Sequence, residues 1–187
     1  MAIHLPEDVR KKIKRLVYSR ADEVGYCSQS RIENGAFLNQ LVEDPEIGGV
    51  ISQYCRGESV RTYIKDGVLN AYAKDVVRKK LNRINNQDVV KRLYGVDAPR
   101  VGKVDKLTIH RSEDNRIFLV QTGTYLKWET ALRKLLEWVA ANEQRYNQSR
   151  SVDLCLLLAV NEGEMSLSDK DLLLKALDFI GVKIFFC

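Results

Sequence analysis

Histidine is almost missing from this chain: of its 187 residues only His4 and His110 are histidines. That excludes a multi-histidine metal centre, so any metal must sit on oxygen ligands, the preference of magnesium, manganese or calcium. Cysteine is sparse as well. Cys27, Cys55, Cys155 and Cys187 are spaced too widely for a zinc knuckle and are expected as reduced thiols. Long apolar runs are absent. The longest, Leu154 to Val160, falls far short of the roughly 18 residues that span a bilayer. No apolar stretch opens Met1 to Asp8 either, so the expectation is a chain with no leader, anchor or membrane partner, working in the cytoplasm.

Several catalytic signatures are also lacking. There is no G-x-G-x-x-G and no phosphate-cradling G-x-x-x-x-G-K-[ST], which argues against Rossmann and P-loop nucleotide binding. A G-x-S-x-G elbow and a His-Glu-x-x-His helix are missing too. Histidine-based nucleophilic chemistry would have to recruit His4, near the start, or His110, in a strand-like run.

What is present is ordinary globular composition, 45% hydrophobic and 29% charged, with the charge unevenly placed. Residues 1–100 carry 18 Lys/Arg against 13 Asp/Glu, whereas residues 101–187 carry 12 against 12. Arg10 to Arg20 holds six cations and no acid, including Lys11 and Lys14. Lys74 to Arg83 holds Arg78, Lys79, Lys80 and Arg83, with Asp75 its only acid. Such runs are either solvated helix faces or a surface for a phosphate backbone.

Periodicity makes residues 1–97 helical. Val9, Ile13, Leu16 and Val17 form one apolar stripe behind Pro6, Glu7 and Asp8, a good helix start. Ser30 can cap a second helix with Ile32, Ala36, Leu41 and Val42 inward. Pro45 opens a short third piece ended by an Arg56-Gly57 turn. Ser59 can cap a fourth helix, with Val60, Ile64, Val68, Tyr72 and Val76 spaced for burial. A weak helix from Asp88 to Tyr94 closes at Gly95.

From residue 98 the pattern changes. Val101 to His110 and Arg116 to Thr122 read as an antiparallel hairpin across the turn Ser112 to Asn115. A helix follows from Trp128 to Tyr146, with Leu132, Leu135, Leu136, Val139 and Ala140 inward. Val152 to Val160 reads as a strand buried on both faces. Ser168 can cap a last helix that Gly181 ends, before a strand from Val182 to Phe186. The expected fold is α/β, a mixed sheet flanked by helices, built with a right-handed crossover. One domain is expected over 1–187, with a helical region at 1–97 and an α/β core at 98–187.

The hairpin holds the only chemistry-bearing constellation. Asp105 reads as early in the first strand and Gln121 as ending the second, so the two could converge on one divalent cation that activates water at a phosphorus centre. The plain reading is a solvated strand-edge acid beside a strand terminator.

This arrangement resembles the PD-(D/E)XK, or restriction-endonuclease-like, nucleases. In that family an Asp on one hairpin strand is followed by Glu-x-Lys ending the next, then a helix and another strand. Val104-Asp105 matches the first element, and Gln121-Thr122-Gly123 stands where Glu-x-Lys would be. The resemblance covers roughly 101–187, with Glu33 matching the family's early-helix acid. It implies a restriction-endonuclease-like core and a magnesium- or manganese-dependent endonuclease of duplex DNA, of the type II restriction kind. Asp105 and Gln121 would hold the metal, Glu33 would assist, and Lys127, or Lys103, would replace the lysine that Gly123 lacks. A symmetric dimer is the simplest assembly for cutting two strands. Two other readings stay open: a silent nucleic-acid-binding or partner subunit of the same fold, and an unrelated α/β interaction module.

Overall fold

A computed structural model describes residues 5–55, 58–146, 151–161 and 163–187. The chain divides into two compact units, Met1–Val76 and Val77–Cys187. The single domain with a joint near residue 97 gives way to this division, whose boundary falls inside a helix.

The first unit is helical. α1 (Glu7–Glu23) buries Ile13, Val17 and Ala21. α2 (Arg31–Glu43) starts with a capping box, in which the Ser30 hydroxyl accepts from Glu33 N and the Glu33 carboxylate accepts from Ser30 N. α2 buries Phe37, Leu38 and Leu41, while Ile32, expected inward, is 85% exposed. Its stripe is set by the later residues, and Ile32 falls on the opposite side of the first turn. α3 (Gly48–Ile51) packs so closely on α2 that a Cβ on Gly48 would lie 1.8 Å from Val42 O. The Arg56-Gly57 turn lies outside the described residues.

α4 (Glu58–Thr62) begins one residue before Ser59, which is therefore no cap. It runs on through a π-helical stretch, Tyr63–Leu69, into α5 (Asn70–Asn82). Two tyrosines pin this run to α1: the Tyr72 hydroxyl donates to Asp22 at 2.6 Å, and Tyr18 donates to Asp75 at 3.0 Å. Burial, then the Asp22 carboxylate, pushes the Tyr72 phenol far above its usual range. Arg20 donates to Asp44. Burial alone would raise the Asp44 carboxyl, but that bond and the N–H groups of Glu46 and Ile47 hold it below its ordinary value.

The second unit is α/β. α6 (Asn86–Tyr94) is capped by the Asn85 side chain and ends at Gly95 in a left-handed conformation. β1 (Arg100–Val104), β2 (Leu107–Arg111), β3 (Arg116–Thr124), β4 (Ser151–Ala159) and β5 (Val182–Phe186) form one mixed sheet in that spatial order. β1–β2 and β2–β3 are antiparallel, and β3–β4 and β4–β5 are parallel. α7 (Trp128–Asn142) and α8 (Leu167–Phe179) form the two crossovers. Ser166 caps α8 by accepting from Asp169 N at 3.1 Å, two residues before the expected Ser168.

Both faces of the sheet are dry. Ile117, Leu119, Leu156 and Leu158 pack with Leu135 of α7 and Leu173 and Leu177 of α8. On the other face Phe118, Val120, Cys155 and Leu157 pack with Val89 and Val90, which is why α6 belongs to this unit and not to a separate helical region. Burial pushes the Cys155 thiol up to about 12, leaving it inert. Among the described residues, no helix is long and apolar enough to cross a membrane.

One buried polar chain ties this unit's irregular parts to the sheet. Asn86 Nδ2 donates to Thr108 Oγ1 at 2.7 Å, and His110 lies 3.1 Å from the same oxygen and 3.0 Å from Ala98 O. A carbonyl only accepts, so the chain is satisfied when Nδ1 carries the proton and Nε2 accepts from Thr108. Burial, with Arg100 adding to it against the Ala98 bond, keeps the imidazole below its ordinary value. The unfolded chain takes up a proton near pH 6.5 and the folded one does so only lower. His110 therefore stabilises the fold fully above that pH, and the contribution is lost as pH falls through 6.5 toward the folded value. Denaturant titrations from pH 7.5 to 5.5 should show stability falling by at most about 1.4 kcal/mol per pH unit from this group. His110→Gln should flatten that slope; equal slopes in parent and variant would reject the assignment.

Candidate functional site

The expected hairpin is really three strands. Val101 to His110 is broken by a tight turn at Asp105-Lys106, with Val104 opposite Leu107. Asp105 is therefore exposed on a turn, at φ 51°, and not within a strand. Aspartate accepts this left-handed conformation more readily than most residues. The turn is held against β3, because the Lys106 carbonyl accepts from Thr122 N at 3.0 Å and from Thr122 Oγ1 at 3.2 Å. Asp105 thus sits beside the end of β3, where the sequence motif places it, on a different element.

Gln121 is paired with Leu107 and is only 5% exposed. Its side chain lies on the α7 face of the sheet, with Leu119 and Leu107. Its Nε2 donates to the carbonyl of Thr122 at 3.1 Å, so the amide is turned onto its own strand.

Gly123, the next residue on that face, lies hard against α7. A Cβ there would stand 2.9 Å from the Ala131 Cβ and 3.4 Å from Leu158 Cδ2. A lysine at this position has no path out. The helix has closed over the place where the family's lysine would be.

Lys127 ends a short 3-10 turn, Tyr125–Lys127, before α7 and is exposed, as is Lys103 on β1. Glu33 belongs to the first unit. Its carboxylate is committed to the Ser30 cap, whose backbone and hydroxyl hydrogen bonds hold it below its ordinary value. Nothing in its environment suggests a catalytic duty. The donor set does not fit a hard divalent cation, since it offers one exposed carboxylate and one neutral amide already engaged. Among the described residues, no group of three or more His, Cys, Asp or Glu is placed to hold a metal.

The basic residues divide by role. Lys11 pairs with Glu7 at 2.8 Å, and Lys14 lies 3.9 Å from Asp75 and over the Tyr18 ring. Lys80 donates to Val160 O at 2.9 Å and to Asn161 at 3.4 Å, which makes it an anchor of the β4 end and not a phosphate contact. Arg78, Lys79 and Arg83 are exposed. Sequence reading missed the Lys80 anchor, the His110 chain and the Gly123 closure, all of which depend on neighbours distant in sequence. The Ser30-x-x-Glu33 spacing did signal the capping box.

The closure at Gly123 can be measured. Gly123→Ala should cost about 1–3 kcal/mol by overpacking. Ala131→Gly alone should cost about 1 kcal/mol in helix propensity. Combined, they should recover part of the loss, giving a favourable coupling in a double-mutant cycle. Strict additivity in urea denaturation would mean that α7 does not touch β3 there. In comparisons with family models, curated proteins and solved structures, nothing matches this chain.

Proposed function

We propose that this chain is a nucleic-acid-binding protein with a restriction-endonuclease-like core whose hairpin does not assemble a cleavage site. The observation that carries the second half is the 2.9 Å approach of a Gly123 Cβ to Ala131. Phosphodiester hydrolysis of the family's kind needs two acids and a cation around the reacting phosphate. Here the second acid is the neutral Gln121, and the space for the lysine is filled.

The binding half rests on exposed cations. On the second unit Arg78, Lys79 and Arg83 project from one short stretch of chain. On the first, Arg10, Lys12 and Arg15 are exposed along α1 beside Lys11 and Lys14. Duplex DNA is the partner such clusters suit, because affinity for it comes mainly from neutralised phosphates.

The endonuclease reading, with magnesium or manganese, is the alternative. The turn at Asp105-Lys106 favours it, since its bond to Thr122 brings the single acid to the end of β3 next to Gln121. Lys127, exposed just beyond, would be its cation.

One set of measurements separates these readings. Duplex binding should weaken steeply with salt, and magnesium or manganese should support no cutting. Reversing the charge of Arg78, Lys79 and Arg83 together should flatten the plot of log affinity against log salt by roughly 0.9 per lost phosphate contact. Lys80 is left intact in that variant, because losing its anchor would lower stability for another reason. Absence of salt-dependent binding would remove the nucleic-acid reading. Metal-dependent cleavage that Asp105→Asn abolishes would restore the endonuclease.

A further inference from the structure

α8 has two apolar stripes where its fold uses one. Leu173 and Leu177 face the sheet and are buried. Around the helix from them, Leu172, Ala176, Phe179 and Ile180 follow one another at i, i+4, i+7 and i+8, and all are exposed. Leu172 is 69% exposed, Phe179 92% and Ile180 52%. Leu172, Phe179 and Ile180 together present roughly 400 Å² of apolar side chain, the scale of the largest patch on a typical monomer.

The charges beside the stripe narrow the choice of occupant. Asp171, Lys175 and Asp178 run along one flank, alternating in sign, and all are exposed. Neither Lys175 nor Asp178 joins an ion pair among the described residues. If two copies of α8 lie antiparallel with Leu172 against Phe179 of the other copy, Lys175 of each comes beside Asp178 of the other. The pairing occurs twice, as a two-fold interface requires. A parallel pairing in register would instead set each Lys175 against its own copy.

We infer that the outer face of α8 is a self-complementary interface, and that a second copy of this chain packs on it antiparallel. Phe179 is the anchor and the Lys175–Asp178 pairs set the direction. The buried area, near the low end of stable interfaces, gives a dimer in the micromolar range. This goes beyond the nucleic-acid reading and does not rest on it, because no residue involved belongs to the basic stretches or the hairpin.

Sedimentation equilibrium on the full chain tests the interface. A dimer is expected at about 100 µM, dissociating on dilution toward 1 µM. Phe179→Asp should weaken association about thirtyfold or more, as loss of a central anchor does, with an unchanged melting temperature because the side chain is exposed. Lys175→Asp and Asp178→Lys should each weaken it about fivefold by setting like charges together. Mixed in equal amounts, these two variants should associate as tightly as the parent, since each then supplies the charge its partner lacks. A parent that stays monomeric at the highest concentration overturns the proposal, as does a mixture no tighter than its components. Monomers that bind neutral phospholipid vesicles through Phe179 would assign the face to a membrane surface instead.

Discussion

Strand β3 has to be dry on both sides, and the second unit is organised around that requirement. Ile117, Phe118, Leu119 and Val120 are fully buried, alternating between a cluster under α7 and α8 and a cluster that includes α6. β2 and β4 supply hydrogen bonds on its two edges, one antiparallel and one parallel. Such burial stabilises the unit by the usual hydrophobic term, and it also restricts the chemistry at the strand's end. A charged carboxylate at position 121 would lose its water there and need a cation close by. A neutral glutamine that bonds to the next carbonyl meets the requirement alone.

The two departures from the nuclease motif are therefore one change in electrostatic terms. Acid, lysine and metal in such a site compensate one another, and removing one of them leaves a buried imbalance. Removing both protein charges keeps the strand neutral, and the volume that the lysine vacates is taken up by α7 through Ala131. Asp105 carries no such penalty, because it lies on an exposed turn where an uncompensated carboxylate is solvated.

Much of the architecture was legible in the sequence, because it depends on periodicity. The stripe of α1, the continuous apolar run of β4, and the strand–helix–strand order behind the parallel pairs were all readable. The Asp105 turn was not, since Val-Asp-Lys-Leu has neither glycine nor asparagine to mark it and β-branched residues continue on both sides. Two serines near α8 offered equal caps, and geometry selected Ser166. Ile32 fitted a helical stripe as well as Phe37 or Leu41, but the side that meets the core is chosen by α3 and α4. Of the candidate site, the positions along the hairpin were legible. Their surroundings depend on α7, which follows them in sequence and could not be docked from pattern alone.

The π-helical stretch at Tyr63–Leu69 has a consequence for how this protein can vary in length. A wide turn of this kind holds an extra residue inside an otherwise regular helix. Removing one residue would tidy the backbone but rotate everything after it by about 100°. Tyr72 would then swing away from Asp22, and the buried set Val60, Ile64, Val68 and Tyr72 would no longer share one side. The irregular segment is thus a fixed spacer, as intolerant of deletion as the core it serves.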